Sequence, residues 1–167
     1  MNKKLKIYLD TSVINFLFAD DAPEFKKVTI DFFEHFIKTG YYDSYISPFV
    51  IEEINATRNE IKREILLSVI RDYPINILSN LPIDEIQAVS ELYIAHKLIP
   101  QKNYMDAYHI ATSILSNIDY LISWNFKHLA NIKKENQIKI VNLSNNIIDE
   151  LRIITPLELM DYGNSNF

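Results

Sequence analysis

Short apolar runs alternate along the chain with segments of helical periodicity, and this alternation narrows the possible folds. Runs with the length and composition of buried strands lie at residues 7–9, 45–47, 119–123 and 138–141. Residues 75–78 form either a further strand or an extended link. Strands that alternate with helices favour a mostly parallel sheet covered on both faces. The sequence therefore predicts an α/β protein with a small, mostly parallel central sheet between two helical layers.

Helix boundaries are marked by residues that commonly cap helices. Asp21, Asn103 and Thr155 each stand directly before or close to a helical pattern, where a side-chain oxygen can accept a backbone N–H. The chain has 167 residues, which favours one domain. We expect this domain to span residues 1–161 and residues 162–167 to form a frayed tail.

Composition excludes several classes of site. The sequence has no cysteine, which excludes disulfides and thiolate metal sites and makes a reducing cytoplasm the expected location. No apolar run approaches the roughly 20 residues that span a bilayer. With only two glycines, the chain lacks the glycine-rich turns that cradle phosphates or dinucleotides. The formal net charge of −5 argues against a protein that binds nucleic acid by charge alone.

Asp10 stands where the first apolar run ends. In an open parallel sheet, ligands bind just beyond the carboxyl ends of the strands, so a carboxylate at this point faces a crevice. Asn125 follows the run that ends at Ser123 and holds the corresponding position on another strand. The structural alternatives are a capping or turn acid for Asp10 and a turn or capping asparagine for Asn125.

Two adjacent glutamates are separated by helical geometry. Neighbouring helix residues point about 100° apart, so Glu52 and Glu53 face different surroundings. Glu53 lies on the apolar stripe of Val50, Ile54 and Thr57, whereas Glu52 faces away. A carboxylate on a core-facing stripe is costly unless it is paired, protonated or bound to a metal. Glu53 is therefore the candidate ligand, with a salt bridge at the edge of the stripe as the alternative.

Asp106 falls in the first turn of a predicted helix, and His109 lies one turn further on. An acid at a helix start interacts favourably with the helix dipole, which is the structural alternative for Asp106. His109 alone is more typical of a packed histidine than of a ligand. Together, three acids and an amide lie at strand ends or on the helices that follow. Oxygen ligands without cysteine suit Mg²⁺ or Mn²⁺, and such ions bind phosphate oxygens and activate water.

Four segments of the chain together resemble the PIN-domain ribonucleases, especially the VapC-like toxins of toxin–antitoxin pairs. They are residues 8–13 (YLDTSV), 46–54 (ISPFVIEEI), 105–112 (MDAYHIAT) and 121–128 (LISWNFKH). They follow the order and spacing of the family. Residues 155–158 are similar to the end of such chains.

The resemblance implies a three-layer α/β/α fold and Mg²⁺- or Mn²⁺-dependent cleavage of RNA. It maps the family's acidic positions to Asp10, Glu53, Asp106 and Asn125, the first three as metal ligands. It also implies that Thr11 or Ser12 supports the metal or a phosphate, and it implies homodimers and a small antitoxin that blocks the site. The family often has Asp at the fourth position. Asn carries no charge there, which favours one firmly held ion and a second recruited by substrate.

The first functional hypothesis is thus a metal-dependent endoribonuclease that acts as a toxin. Four residues could form a local basic rim, with an ordinary solvated surface as the alternative: Lys127, His128, Lys133 and Lys134. The second hypothesis is a catalytically weakened module that binds RNA or a protein partner without cleavage, for which Asn125 is the argument. A third is an aspartyl-phosphate phosphatase with Asp10 as nucleophile. It is disfavoured because such enzymes need a second acid where Ser12 stands.

Overall fold

The computed structural model describes the backbone of residues 3–164 and the side chains of residues 3–161. In this part of the chain, five strands form one sheet: β1 (Lys6–Leu9), β2 (Asp43–Ile46), β3 (Ile75–Ile77), β4 (Tyr120–Ile122) and β5 (Arg152–Ile154). Their order across the sheet is β3-β2-β1-β4-β5, and every neighbouring pair is parallel. The predicted α/β class is confirmed, and the sheet is entirely rather than mostly parallel.

Helices make the crossovers that parallel strands require. Their bounds are α1 (Thr11–Phe16), α2 (Pro23–Phe32), α3 (Pro48–Asn55), α4 (Glu60–Asp72), α5 (Ile83–Ala95), α6 (Tyr104–Leu115), α7 (Ile132–Ser144) and α8 (Pro156–Asn164). A π-helical turn, Phe33–Ile37, extends α2, and a 3₁₀ turn, Gln101–Asn103, precedes α6. None of the helices in the described residues is long and apolar enough to cross a membrane.

The position of β1 at the centre of the sheet explains the continuous apolar run at residues 7–9. Ile7, Tyr8 and Leu9 are fully buried, although their side chains alternate between the two faces of the sheet. Burial on both faces requires a continuous apolar run rather than an alternating one. Residues 75–78, for which the sequence allows either a strand or an extended link, contain the edge strand β3.

The strand predicted at residues 138–141 is wrong. These residues lie inside α7, where Ile138 and Val141 are buried three positions apart on one helical face and Ile140 is exposed. Asn131 caps this helix by accepting the backbone N–H of Lys134 at 2.8 Å. The β-branched residues favour a strand, but the Asn131 cap and the helical spacing of the buried side chains favour the helix that forms. The fifth strand is Arg152–Ile154 instead.

Of the three predicted helix caps, one makes its capping hydrogen bond and two do not. Ala22, not Asp21, holds the N-cap position of α2, and the side chain of Asn103 makes no capping hydrogen bond at α6. Thr155 does accept the backbone N–H of Glu158, at 3.2 Å, at the start of α8. The backbone of α8 continues to Asn164, and the rest of the predicted tail lies outside the described residues.

The parallel topology gathers the candidate residues at one edge of the sheet, which we call the carboxyl edge. Asp10 directly follows β1, and Ser123 directly follows β4. Glu53 is carried by α3, which begins just after β2. Helix α6 leads into β4 from the opposite direction, so its first turn, with Asp106, also reaches the carboxyl edge.

Candidate active site

Asp10 is a buried acid at the tip of β1, with 3% of its surface exposed. Its Oδ2 accepts a hydrogen bond from Ser123 Oγ at 2.5 Å, and its Oδ1 accepts one from Ser12 Oγ. Oδ1 also accepts the backbone N–H of Val13 at 3.3 Å, which makes Asp10 the N-cap of α1. Capping and a place in the candidate site, alternatives at the level of sequence, therefore coexist in one side chain.

The two serines that hold Asp10 are themselves held by the backbone that follows β4. The N–H of Trp124 donates to Ser12 Oγ, and the N–H of Asn125 donates to Ser123 Oγ, both at 2.9 Å. Each hydroxyl oxygen thus accepts an N–H and directs its own proton to Asp10. Burial raises the pKa of Asp10 to about 6, although the nearby His109 and both serine hydrogen bonds oppose the rise.

Glu53 is held from two sides at the same oxygen. Its Oε1 accepts hydrogen bonds from Thr11 Oγ1 at 2.5 Å and from His109 Nε2 at 2.6 Å. Glu53 is half-buried and Glu52 is exposed, as the helical stripe predicts. Burial alone would raise the pKa of Glu53, but the hydrogen bond and charge of His109 outweigh burial and hold this pKa below its usual value.

His109 connects Glu53 to the protein core through a chain of hydroxyl groups. Its Nδ1 lies 2.7 Å from the Tyr8 hydroxyl, which lies 2.6 Å from Ser47 Oγ. Ser47 Oγ also accepts the backbone N–H of Phe49 at 3.2 Å. Burial would lower the pKa of His109, but its bond to Glu53 and the charges of Glu53, Asp10 and Asp106 raise it.

Sequence reasoning missed Tyr8 and Ser47 as members of the site. A tyrosine in the middle of a fully buried strand is the signal that was available, because a buried phenol usually finds a hydrogen-bond partner. The identity of that partner depends on how β1, β2 and α6 pack together.

Asp106 is held by the segment that follows β4. Its Oδ2 accepts hydrogen bonds from His128 Nδ1 at 2.8 Å and from Asn125 Nδ2 at 3.2 Å. The carbonyl oxygen Oδ1 of Asn125 accepts the backbone N–H of His128 at 3.1 Å. Asn125 is therefore at the site, but its amide orients Asp106 while its oxygen binds backbone. Burial raises the pKa of Asp106 despite the opposing contribution of His128.

The predicted basic rim is wrong for His128. His128 is buried against Asp106, with only 8% of its surface exposed, and its Nε2 finds no hydrogen-bond partner within the described residues. Lys134 donates through Nζ to the backbone oxygen of Leu98 at 2.5 Å. Lys127 and Lys133 are exposed.

Each of the three acids thus has its own pair of side-chain donors, and in two of the acids one carboxylate oxygen accepts no hydrogen bond within the described part of the chain. Glu53 Oε2 and Asp106 Oδ1 accept no hydrogen bond from any described residue. Hard oxygen donors of this kind fit Mg²⁺ or Mn²⁺. Within the described residues, no three His, Asp or Glu side chains are arranged to hold an ion by themselves. The donor set therefore fits an ion such as Mg²⁺, which commonly keeps several waters and binds one or two carboxylates together with substrate phosphate.

Comparison with known proteins adds a family and a fold. The family model described as "PIN domain" matches residues 7–135, which include all four candidate positions. Among similar solved structures is VapBC2 from Rickettsia felis bound to a DNA fragment from their promoter, with 13% identity and a TM-score of 0.54, covering 90% of this chain and 98% of that one. Another is VapBC-1 from nontypeable Haemophilus influenzae, with 14% identity, a TM-score of 0.52 and coverage of 80% and 94%. No curated protein matches the sequence.

Proposed function

The chain belongs to the PIN domain family, and from this premise we propose that it is a divalent-metal-dependent endoribonuclease that serves as the toxin of a toxin–antitoxin pair. The family is generally one of nucleases, which supports hydrolysis of a phosphodiester bond. RNA as the substrate and Mg²⁺ or Mn²⁺ as the cofactor are parts of the proposal.

One observation carries it: three acids from three separate elements meet at the carboxyl edge, each oriented by two donors. Burial raises the pKa values of Asp10 and Asp106 despite their histidine and hydroxyl neighbours, so the protein compensates their ionised forms only in part. A bound cation favours ionised carboxylates. Carboxylates that are fixed in orientation but only partly compensated in charge are what a divalent-metal site requires.

The residues then have distinct roles. Asp10, Glu53 and Asp106 would hold the ion, which when bound would polarise a phosphate oxygen and favour ionisation of an attacking water. Ser12 and Ser123 orient Asp10. Thr11 and His109 orient Glu53, and Asn125 and His128 orient Asp106. Lys127 is exposed near this segment and is available to an RNA phosphate.

The partner proposal rests on fold similarity. The two solved structures named above are VapBC assemblies, and the chain covers nearly the whole length of the matched chains. This supports a small antitoxin that binds the chain and blocks the carboxyl edge. Homodimer formation and a cytoplasmic location complete the proposal.

Two adjacent glutamates provide a matched test. Glu53→Gln removes a proposed ligand, whereas Glu52→Gln changes an exposed neighbour on the same helix. We expect Glu53→Gln and Asp106→Asn to cleave single-stranded RNA at least roughly 100-fold more slowly than the unsubstituted protein in Mg²⁺ or Mn²⁺. Glu52→Gln should cleave normally, and EDTA should abolish cleavage. Undiminished cleavage in EDTA or by Asp106→Asn would refute the proposal.

The second candidate is a PIN-like module that binds RNA or a protein without cleaving RNA. Asn125 favours it, because the amide carries no charge and its oxygen is already bonded to the backbone of His128. RNA binding without cleavage, together with no calorimetric heat of Mg²⁺ or Mn²⁺ binding, would establish this candidate instead.

A further inference from the structure

Three aromatic rings form a continuous row across α3 and α6, the two helices that carry Glu53 and Asp106, and we call this row the Tyr104 ladder. The ring centroids of Tyr104 and Tyr108 are 5.5 Å apart, and those of Tyr108 and Phe49 are 5.0 Å apart. Phe49 lies one helical turn before Glu53 on α3, and Tyr104 is the first residue of α6, two positions before Asp106. The ladder therefore lies at the carboxyl edge, on the same two helices as Glu53 and Asp106.

A cavity of about 340 Å³ opens beside the ladder, between α5 and α6. Tyr104 and Tyr108 line it together with the polar side chains of Gln87, Gln101 and Glu91. Its volume lies at the lower end of the range of about 300–1,000 Å³ that is typical of ligand pockets. Tyr104 is 42% exposed, so part of its ring is open to a ligand. An aromatic face next to amide and carboxylate groups is suited to a nucleobase, which stacks by its face and hydrogen-bonds by its edge.

A second aromatic cluster at the same edge lacks these properties. Phe25, Trp124 and Phe126 contact one another and line a cavity of about 310 Å³. Its lining includes the carboxylates of Glu24, Glu158 and Asp161. Three acids beside an apolar floor disfavour a phosphate backbone. The cavity beside the Tyr104 ladder has one acid, Glu91, and its other polar side chains include the amides of Gln87 and Gln101.

We propose that the Tyr104 ladder is a base-stacking subsite, which seats one base of a single-stranded RNA beside the phosphate held at the carboxylates. This inference rests on the proposed function. A protein with a net charge of −5 gains little from the release of counterions by lysine–phosphate contacts. Stacking of bases on aromatic side chains does not depend on net charge and accepts every base. The ladder thus supplies affinity that the charge of the chain does not.

The test compares two exposed tyrosines. Tyr104 is 42% exposed and Tyr41 is 40% exposed, and each packs edge-on against a neighbouring tyrosine. Tyr41 lies ahead of β2, at the opposite edge of the sheet, and serves as the matched control. The affinity for a fluorescein-labelled single-stranded RNA of mixed sequence is measured by anisotropy, in EDTA and in Mg²⁺. We expect Tyr104→Ala to bind roughly five- to 150-fold more weakly, the loss that corresponds to one base–aromatic stack. Tyr104→Phe and Tyr41→Ala should bind like the unsubstituted protein.

Wild-type affinity in Tyr104→Ala, or no RNA binding by the unsubstituted protein in either buffer, would overturn the inference. A change from dimer to monomer in Tyr104→Ala, seen by sedimentation, would also overturn it and assign the ladder to contact between copies of the chain. If RNA is cleaved and Tyr104 proves dispensable, the subsite fails and the proposed function stands. If binding depends on Tyr104 but no RNA is cleaved, the ribonuclease proposal fails and the subsite stands.

Discussion

Asp10 and Glu53 are both oriented by two donors, but the donors differ in kind. Asp10 receives the protons of two neutral hydroxyl groups, from Ser12 and Ser123, in a fully buried position. Glu53 accepts one hydrogen bond from the hydroxyl group of Thr11 and one from the ring of His109, and it is half-buried. The pKa of Asp10 rises to about 6, whereas that of Glu53 falls below its usual value.

The difference shows that orientation and charge compensation are separate tasks. A hydroxyl donor fixes a carboxylate without balancing its charge, whereas a histidine can do both. Asp106 lies between the two cases: it has a histidine partner, His128, and yet burial still raises its pKa. Asp10 and Asp106 are therefore the acids that most need a cation, and Glu53 is the acid that the protein itself stabilises.

The largest predicted effect on the free energy of unfolding is at Asp10. A carboxyl with a pKa raised above its unfolded value of 3.8 destabilises the folded protein once it ionises. As the pH rises from about 4 to 7, the free energy of unfolding of the unsubstituted protein should fall relative to that of Asp10→Asn. The expected fall is about 3 kcal/mol, because the pKa of Asp10 is raised from 3.8 to about 6. Urea denaturation at several pH values in EDTA measures it, and parallel curves for the two proteins would contradict the comparison.

The next-largest effect on the free energy of unfolding is expected at His109. Its substitution should leave Glu53 with a hydroxyl group as its remaining donor, the kind of donor that Asp10 has. His109→Gln should lower the free energy of unfolding by about 1–3 kcal/mol, because a buried charged partner is lost. The pKa of His109 is raised, so its contribution is present below its unfolded value of 6.5 and is lost as the pH rises through the folded value. The contribution of Glu53, whose pKa is lowered, is present above 4.5. The deficit should therefore be largest between pH 4.5 and 6.5.

His96 is the matched control for this experiment. It is exposed at the end of α5, and its ring nitrogen lies 2.8 Å from the backbone oxygen of Leu92. His96→Gln should change the free energy of unfolding by less than about 0.5 kcal/mol. A deficit of similar size in both variants would show that His109 has no special part in holding Glu53.

Addition of Mg²⁺ should have the third-largest effect. A ligand at ten times its dissociation constant stabilises a protein by about 1.4 kcal/mol, which raises the Tm of a chain of this size by about 3–6 °C. The increase should be greater at pH 7 than at pH 5, because Asp10 is ionised at the higher pH. Thermal unfolding checks this, and an equal increase in Asp10→Asn would place the ion elsewhere.

These expectations depend on residues that the sequence predicts to different degrees. Asp10 is predictable because a rule of topology places the ends of parallel strands at one edge. Glu53 is predictable because a helical stripe separates it from Glu52. Tyr8 and Ser47 are not predictable, because their hydrogen bond joins β1 to the residue that follows the neighbouring strand β2, 39 positions away in sequence, and only the packed sheet brings them together.

The fifth strand shows a second limit. Three of the four residues at 138–141 are β-branched, and by composition this segment resembles a strand at least as much as Arg152–Ile154 does. Helix α7 forms because Asn131 caps it and because buried Glu135 reaches β5, accepting hydrogen bonds from the side chain of Arg152 and the backbone N–H of Ile153. The hydrogen bonds between a buried glutamate and a neighbouring strand cannot be predicted from the local sequence.

The smallest predicted effect separates the two hydroxyl donors, Ser123 at Asp10 and Thr11 at Glu53. Ser123→Ala removes a donor to Asp10 and the acceptor of the Asn125 N–H, and Thr11→Ala removes one of two donors to Glu53. Each should cost about 1 kcal/mol of unfolding free energy. The carboxyl pKa values should respond differently. Among the described residues, the only side-chain hydrogen bonds to Asp10 come from hydroxyl groups, so Ser123→Ala should raise its pKa further, whereas His109 still holds the pKa of Glu53 low in Thr11→Ala. Carboxyl titration by NMR measures both, and a larger rise for Glu53 than for Asp10 would mean that Thr11, rather than His109, keeps Glu53 ionised.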